Sequence, residues 1–237
     1  MPILPPARHI PTRSEGQTEI TWANGSDSLG GMEEIADVPS PIDLREMRSA
    51  RAWAQTAMEK RPWRKEFFET FDCLLAALGP SPSVLELGSG PGFLAQQVLQ
   101  SIPSAQYTAL DFSAAMHALA QERLGPVAAQ VQFVLGNFKE ADWMSSLGRF
   151  QAIVTLQAVH ELRHKRHASR LFAQVKSLLV PGGIFLMCDH YAGPGGMADQ
   201  DLYMSIEEQE AALRTGGLGK ITLRLRKGGL ALWKAEN

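Results

Sequence analysis

The sequence predicts an α/β protein: a doubly wound, mostly parallel sheet of seven strands closed by an antiparallel C-terminal hairpin, with a helical lid in front of it. Three observations carry this. From Val84 onward, short β-rich runs alternate with helical patterns. A glycine-rich turn, "LGSGPG", separates the first run from the first helix after it. Near the end, two β-rich runs are joined through Gly228-Gly229 with no helix between them.

Residues 1–41 read as a flexible N-terminal segment, because Pro, Gly, Ser and Thr dominate and "WANGSDSLGG" has turn chemistry without periodicity. Residues 42–80 read as the helical lid. Leu44, Met47, Ala50, Trp53, Ala54, Ala57 and Met58 recur at helical spacing up to Arg61-Pro62. A second helix follows, with Phe67, Phe71, Leu74, Leu75 and Leu78 on one face and Gly79-Pro80 as its stop. Residues 81–237 read as the α/β domain. Its expected strands are Val84–Leu87, Gln106–Leu110, Val131–Leu135, Ala152–Leu156 and Ile184–Cys188. Its expected helices are Phe93–Ser101, Ala114–Leu124 and Lys165–Leu179. Ser205-Ile206-Glu207-Glu208 is a capping box opening another helix, and Lys220–Arg226 with Leu230–Ala235 forms the hairpin.

Composition narrows the function. A chain of 237 residues, 45% hydrophobic, can bury a substantial core. A formal net charge of −2 gives no electrostatic case for nucleic-acid or membrane binding. The two cysteines, Cys73 and Cys188, lie far apart and suit a reduced, cytoplasmic protein. No apolar run approaches the roughly 18 residues of a membrane span, and the proline-rich start lacks a secretory h-region.

The glycines after the first strand fall as G-x-G-x-G, neither the G-x-G-x-x-G of a dinucleotide turn nor a P-loop with its lysine. Pro91 removes one N–H from the helix mouth, and Glu86 would repel a pyrophosphate and attract a cation. Asp111, about 20 residues beyond the turn, is placed to accept hydrogen bonds from ribose hydroxyls. Together these describe a nucleoside with a positively charged, phosphate-free tail.

"VLELGSGPG", "YTALDFSAAM", "VLGNF", "FQAIVTLQAVHEL" and "LLVPGGIFLMCDH" occur in the order seen in class I S-adenosylmethionine-dependent methyltransferases, which the chain resembles from about Val84 to Asn237. The resemblance implies a Rossmann-like sheet and S-adenosylmethionine as cofactor. It implies that Glu86, Gly88, Ser89, Gly90 and Gly92 line the methionine end, and that Asp111 takes the ribose. Phe112 and Met116 would pack near the adenine, Asn137 and Phe138 would sit beside its edge, and Leu156 and Gln157 would offer backbone groups to the amino end. The family usually has Asp where this chain has Asn137; an amide oxygen still accepts from the adenine amino group, with softer affinity.

His160-Glu161-Leu162-Arg163-His164 matches H-E-x-x-H, but a zinc reading needs one continuous helix and a distal third ligand. The β-branched run before His160 makes a strand, and no G-x-x-H follows, so no metal is expected. Methyl transfer chiefly needs a nucleophile aligned behind the methyl group, with a base to take its proton. Candidates beyond the ends of the fourth and fifth strands are His160, His190 and Tyr191. Trp53, Trp63, Arg64 and Phe67, with the surrounding "KRPWR", are candidates for acceptor recognition in the lid.

Thr155-Leu156-Gln157-Ala158 lacks the D/N-P-P-Y-like motif usual for amino-group methylation of nucleic-acid bases, and Leu156 cannot ligate magnesium. The leading expectation is metal-free methylation of a small-molecule acceptor. The alternatives are a methyltransferase acting on tRNA or protein, and a catalytically silent cofactor-binding partner protein. Oligomeric state is not legible in the sequence.

Overall fold

The computed structural model describes residues 36–59 and 63–237. Its strands are β1 (Ser83–Leu87), β2 (Gln106–Asp111), β3 (Val131–Leu135), β4 (Phe150–Leu156), β5 (Leu179–His190), β6 (Gly219–Lys227) and β7 (Leu230–Glu236). Its helices are α1 (Met47–Thr56), α2 (Arg64–Ala76), α3 (Phe93–Ser101), α4 (Ala114–Leu124), α5 (Ala168–Leu178) and α6 (Ile206–Thr215). Among the described residues no helix is long and apolar enough to cross a membrane.

The seven strands form one sheet in the order β3-β2-β1-β4-β5-β7-β6. The first five run parallel, whereas β7 lies antiparallel to both β5 and β6. Strand order reverses between β1 and β4, so the connections leaving their carboxyl ends diverge and open a crevice there. The central strands β1, β4 and β5 are apolar on both faces because both faces are covered. Leu85, Leu87, Ile153 and Phe185 pack with Phe172 and Val175 of α5 on one face. Val84, Val154 and Leu186 pack with Leu94 and Val98 of α3 on the other.

Local chemistry sets the helix starts. Ser113 accepts the Met116 N–H at 3.1 Å to cap α4, and Ser205 with Glu208 completes the capping box of α6. Gly92, at φ +76°, turns the chain into α3.

Several expectations need correction. The helix expected from Lys165 begins at Ala168, after a 3-10 turn over Lys165–His167. The fifth strand starts earlier than expected, at Leu179, because Leu179 pairs with Phe150 before a register shift restores the main ladder. The two helices expected to form a lid have different fates. In α2, Phe67, Phe71 and Leu75 are fully buried against α3 and the sheet, so this helix is part of the core. In α1, Ala50 and Ala54 pack on Ala115, Met116 and Leu119 of α4.

Residues 1–35 of the expected flexible segment lie outside the described residues, as do Lys60, Arg61 and Pro62 of "KRPWR". Residues 37–39 are tied down. The Val38 N–H donates to the Arg163 carbonyl at 2.7 Å, and the Asp37 carboxylate meets Lys139, Arg166 and His167.

Candidate active site

A cavity of about 550 Å³ opens at the carboxyl ends of β1, β2, β4 and β5. Its floor is the glycine turn. A Cβ on Gly88, at φ +66°, would lie 2.4 Å from the Ala158 Cβ, so only glycine lets the turns after β1 and β4 approach this closely. A Cβ on Gly90 would meet nothing within 4 Å, because Gly90 faces the open space. Ser89 also lines the cavity, and its buried Oγ has no hydrogen-bond partner. An unpaired buried hydroxyl in a cavity wall is a group waiting for a ligand's polar atom.

Asp111 is tied to that turn. Its Oδ2 accepts the Gly90 N–H at 2.7 Å and its Oδ1 accepts the Ser113 N–H at 2.9 Å. Burial pushes its pKa up to about 6 against the pull of these N–H donors. Glu86 is buried beneath, accepting the Tyr107 hydroxyl at 2.8 Å, and burial pushes it up to about 8. Phe112, Met116 and Phe138 supply apolar walls, and the Arg45 guanidinium lies 4.6 Å from the Phe112 ring centroid.

The opposite end is richer in titratable groups. His160 sits in a short 3-10 turn after β4, with Nδ1 2.7 Å from Oδ1 of Asp189 at the end of β5. Asp189 Oδ2 accepts the His160 backbone N–H at 2.9 Å, and Oδ1 also accepts the His190 N–H at 2.6 Å. Burial opposes charge on His160, but the carboxylates of Asp189 and Glu161 outweigh it and hold the imidazole above its ordinary pKa. Burial likewise opposes the Asp189 carboxylate, and His160 holds it below the usual range. The His160, His190 and Tyr203 rings lie 5.5 to 5.6 Å apart, edge-on or tilted.

A strap of chain covers this cavity. Val38, Pro39, Ser40 and Pro41 line it, with Ile42 and Leu44 beyond. Arg163 donates to the carbonyls of Val38 at 2.9 Å and Pro39 at 2.6 Å, while Ser113 Oγ donates to the Leu44 carbonyl at 2.5 Å. The Arg163 backbone is left-handed, at φ +67°. That residue breaks H-E-x-x-H, so His160 and His164 do not share a helical face. Among the described residues no group of three or more His, Cys, Asp or Glu is arranged to hold a metal.

Of the residues singled out from sequence, Glu86, Gly88, Ser89, Gly90, Asp111, Phe112, Met116, Phe138, Leu156, Gln157, His160, His190, Trp53 and Arg64 line this one cavity. Five do not. Gly92 serves helix packing, since its Cβ would sit 3.0 Å from that of Ala120. Asn137 closes its own turn by accepting the Lys139 N–H at 3.1 Å. Tyr191 turns away and donates to the Gly195 carbonyl at 3.2 Å. Trp63 lies over the hairpin, where a Cβ on Gly228 would come within 2.3 Å of its indole. Phe67 is in the core under the sheet. Sequence reasoning missed Asp189, Tyr203, Arg163 and the strap. "CDH" at the end of an apolar strand was the only signal for Asp189.

Residues 84–183 match the sequence family described as "Methyltransferase domain". No curated protein matches the chain. Among solved structures, it resembles an O-methyltransferase family 2 protein from Planctomyces limnophilus in complex with apigenin, at 19% identity and a TM-score of 0.65. That match covers 83% of this chain and 62% of the other. Human N-acetylserotonin methyltransferase in complex with SAM is similar at 14% identity and TM-score 0.61, over 82% of this chain and 57% of that one. An O-methyltransferase family protein from Burkholderia thailandensis matches at 15% identity and TM-score 0.60, over 82% and 64%. The chain thus spans about three-fifths of the length of these proteins, and at such identities the likeness is one of fold.

Proposed function

With residues 84–183 matching the family described as "Methyltransferase domain", we propose that this protein is a class I S-adenosylmethionine-dependent methyltransferase that binds S-adenosylmethionine in the cavity and methylates a small-molecule acceptor without a metal. The observation that carries the reading is the tie between Gly90 and Asp111 in the cavity where Asp189 also holds His160.

The residues present fit the cofactor. Asp111 would accept from the ribose hydroxyls, Phe112, Met116 and Phe138 would flank the adenine, and the Ser89 hydroxyl with the open face of Gly90 would meet the methionine end. When bound, the cofactor supplies an activated methyl group on a sulfonium. The chain's part is to place the acceptor and take its proton. His160 Nε2 is the base, and Asp189 fixes the imidazole through Nδ1 and stabilises the imidazolium that forms. Both Asp189 oxygens already accept N–H groups, and Leu156 and Gln157 offer no carboxylate, so this donor set suits a proton better than a divalent cation. Trp53 and Arg64 reach the same cavity, so the recognition role expected of this segment rests on them.

Isothermal calorimetry tests the reading. S-adenosylhomocysteine should bind and NAD should not; tight NAD binding would sink it.

A further inference from the structure

Two histidines face one cavity, and their partners sort them. His160 is held by the Asp189 carboxylate at Nδ1, and the Glu161 carboxylate lies 3.4 Å from its Nε2, so both neighbours favour a proton on that ring. His190 is held by an amide, with its Nε2 2.7 Å from the Gln157 Nε2. Which way that amide faces is decided by a third residue. Arg64, the first residue of α2 and only 2% exposed, directs its Nε at Gln157 Oε1 from 2.7 Å, and its Nη2 reaches the same oxygen. A guanidinium has donors only and does not lose its proton in proteins, so the Gln157 oxygen must face it. The amide NH₂ is then turned toward His190, whose Nε2 must accept.

The rest of the surroundings fixes the His190 backbone. The His190 N–H donates to Asp189, and its carbonyl accepts the Gln209 amide at 2.8 Å. Gln209 is itself fixed by the Trp233 indole N–H at 2.8 Å. Gln157 has φ +59°, a conformation side chains rarely adopt, which presents its amide between Arg64 and His190.

We propose that Arg64 and Gln157 are positioning residues that hold His190 in its neutral Nδ1–H tautomer, leaving His160 as the one histidine able to accept the acceptor's proton. A proton on His190 Nε2 would point at the amide NH₂, donor against donor. Adjacent groups with opposed surroundings are how a site divides acid and base roles between like residues. The second half of the proposal rests on the methyltransferase reading; the tautomer does not.

Long-range ¹H–¹⁵N correlation spectra of the full chain labelled at histidine read the tautomer directly, with His190→Asn to assign the signals. The expected spectrum has a protonated Nδ1 and an unprotonated Nε2 on His190 at about pH 7, within the range where free histidine changes charge. In Gln157→Glu the carboxylate would accept from both neighbours, so the His190 proton should appear on Nε2. Arg64→Met should let the amide rotate and give a mixture of the two forms. A wild-type spectrum showing Nε2–H, or rapid averaging of the tautomers, overturns the proposal even if neither variant folds. An unchanged tautomer in folded Gln157→Glu overturns it as well. Titrating the same sample with S-adenosylhomocysteine separates the two readings: no response removes the role in methyl transfer while the tautomer stands measured.

Discussion

Asp111, at the end of β2, accepts the N–H of Gly90, in the turn after β1, at 2.7 Å. One carboxylate thus holds the glycine turn in shape and lines the cavity. Asp111→Ala should weaken S-adenosylhomocysteine binding by about 1–3 kcal/mol, read by calorimetry. Its pKa of about 6 adds a pH dependence. The ionised form is the acceptor for ribose hydroxyls, so affinity should be flat above about pH 6 and fall by up to tenfold per unit below it. Affinity independent of pH down to about pH 5 would exclude Asp111 from the contact.

Glu86 is buried with its pKa pushed up to about 8, so the folded state keeps a proton that the unfolded chain releases near 4.5. By linkage, stability falls as pH rises between those two values, by on the order of 3 kcal/mol at pH 7. Glu86→Gln retains an acceptor for Tyr107 and removes the charge. Its melting temperature should exceed that of the wild type at neutral pH and vary less with pH; a lower one would show that the carboxylate is stabilised by something else.

His160 and Asp189 set the expected rate profile. Turnover should rise with pH as His160 loses its proton, at a midpoint above the ~6.5 of free histidine, because Asp189 and Glu161 favour the charged ring. Asp189→Asn should lower that midpoint and cut turnover by on the order of 10²-fold. His160→Ala should lose more, with cofactor affinity nearly unchanged. Full turnover in His160→Ala would remove the base.

The Asp37 clamp fastens the strap. The His167 hydrogen bond, helped by Lys139, holds the Asp37 carboxyl down to about 2. Its contribution is therefore present above the unfolded value of 3.8 and is lost as pH falls through about 2. These groups are partly exposed, so salt screens them. Asp37→Ala should release S-adenosylhomocysteine several-fold faster in stopped flow, and added salt should speed the wild type toward the variant. Equal release rates at low salt would leave the strap without a part in retention.

The parallel strands and the helices α3 and α4 were legible because period-two and period-3.6 patterns are local, and glycines at fixed spacing mark a turn wherever they fall. The glycine turn and Asp111 were legible for the same reason. Direction across the fold was not. Trp63 and Phe67 have the composition of a ligand pocket, yet their burial is decided by Gly228 and by the sheet, far along the chain. Tyr191 follows His190 directly and still points elsewhere, because the chain leaves the sheet between them. Asp189 gains meaning only from His160, in the turn after the neighbouring strand β4. The strap reads as loose chain because its tethers, Arg163 among them, are distant in sequence and two of its hydrogen bonds run through backbone carbonyls.

Strand β7 comes last in the order of the strands and yet lies inside the sheet, between β5 and β6. As the chain leaves the ribosome, β5 can dock on β4 while its other side still has nothing to pair with. That side belongs to a strand of twelve residues, of which the eight from Gly183 to His190 are all buried in the finished fold. An unpaired apolar edge of this kind templates pairing with other chains. Premature termination anywhere between β5 and β7 should therefore yield not a smaller soluble domain but a sticky one, and translational pauses in that interval would lengthen the exposure.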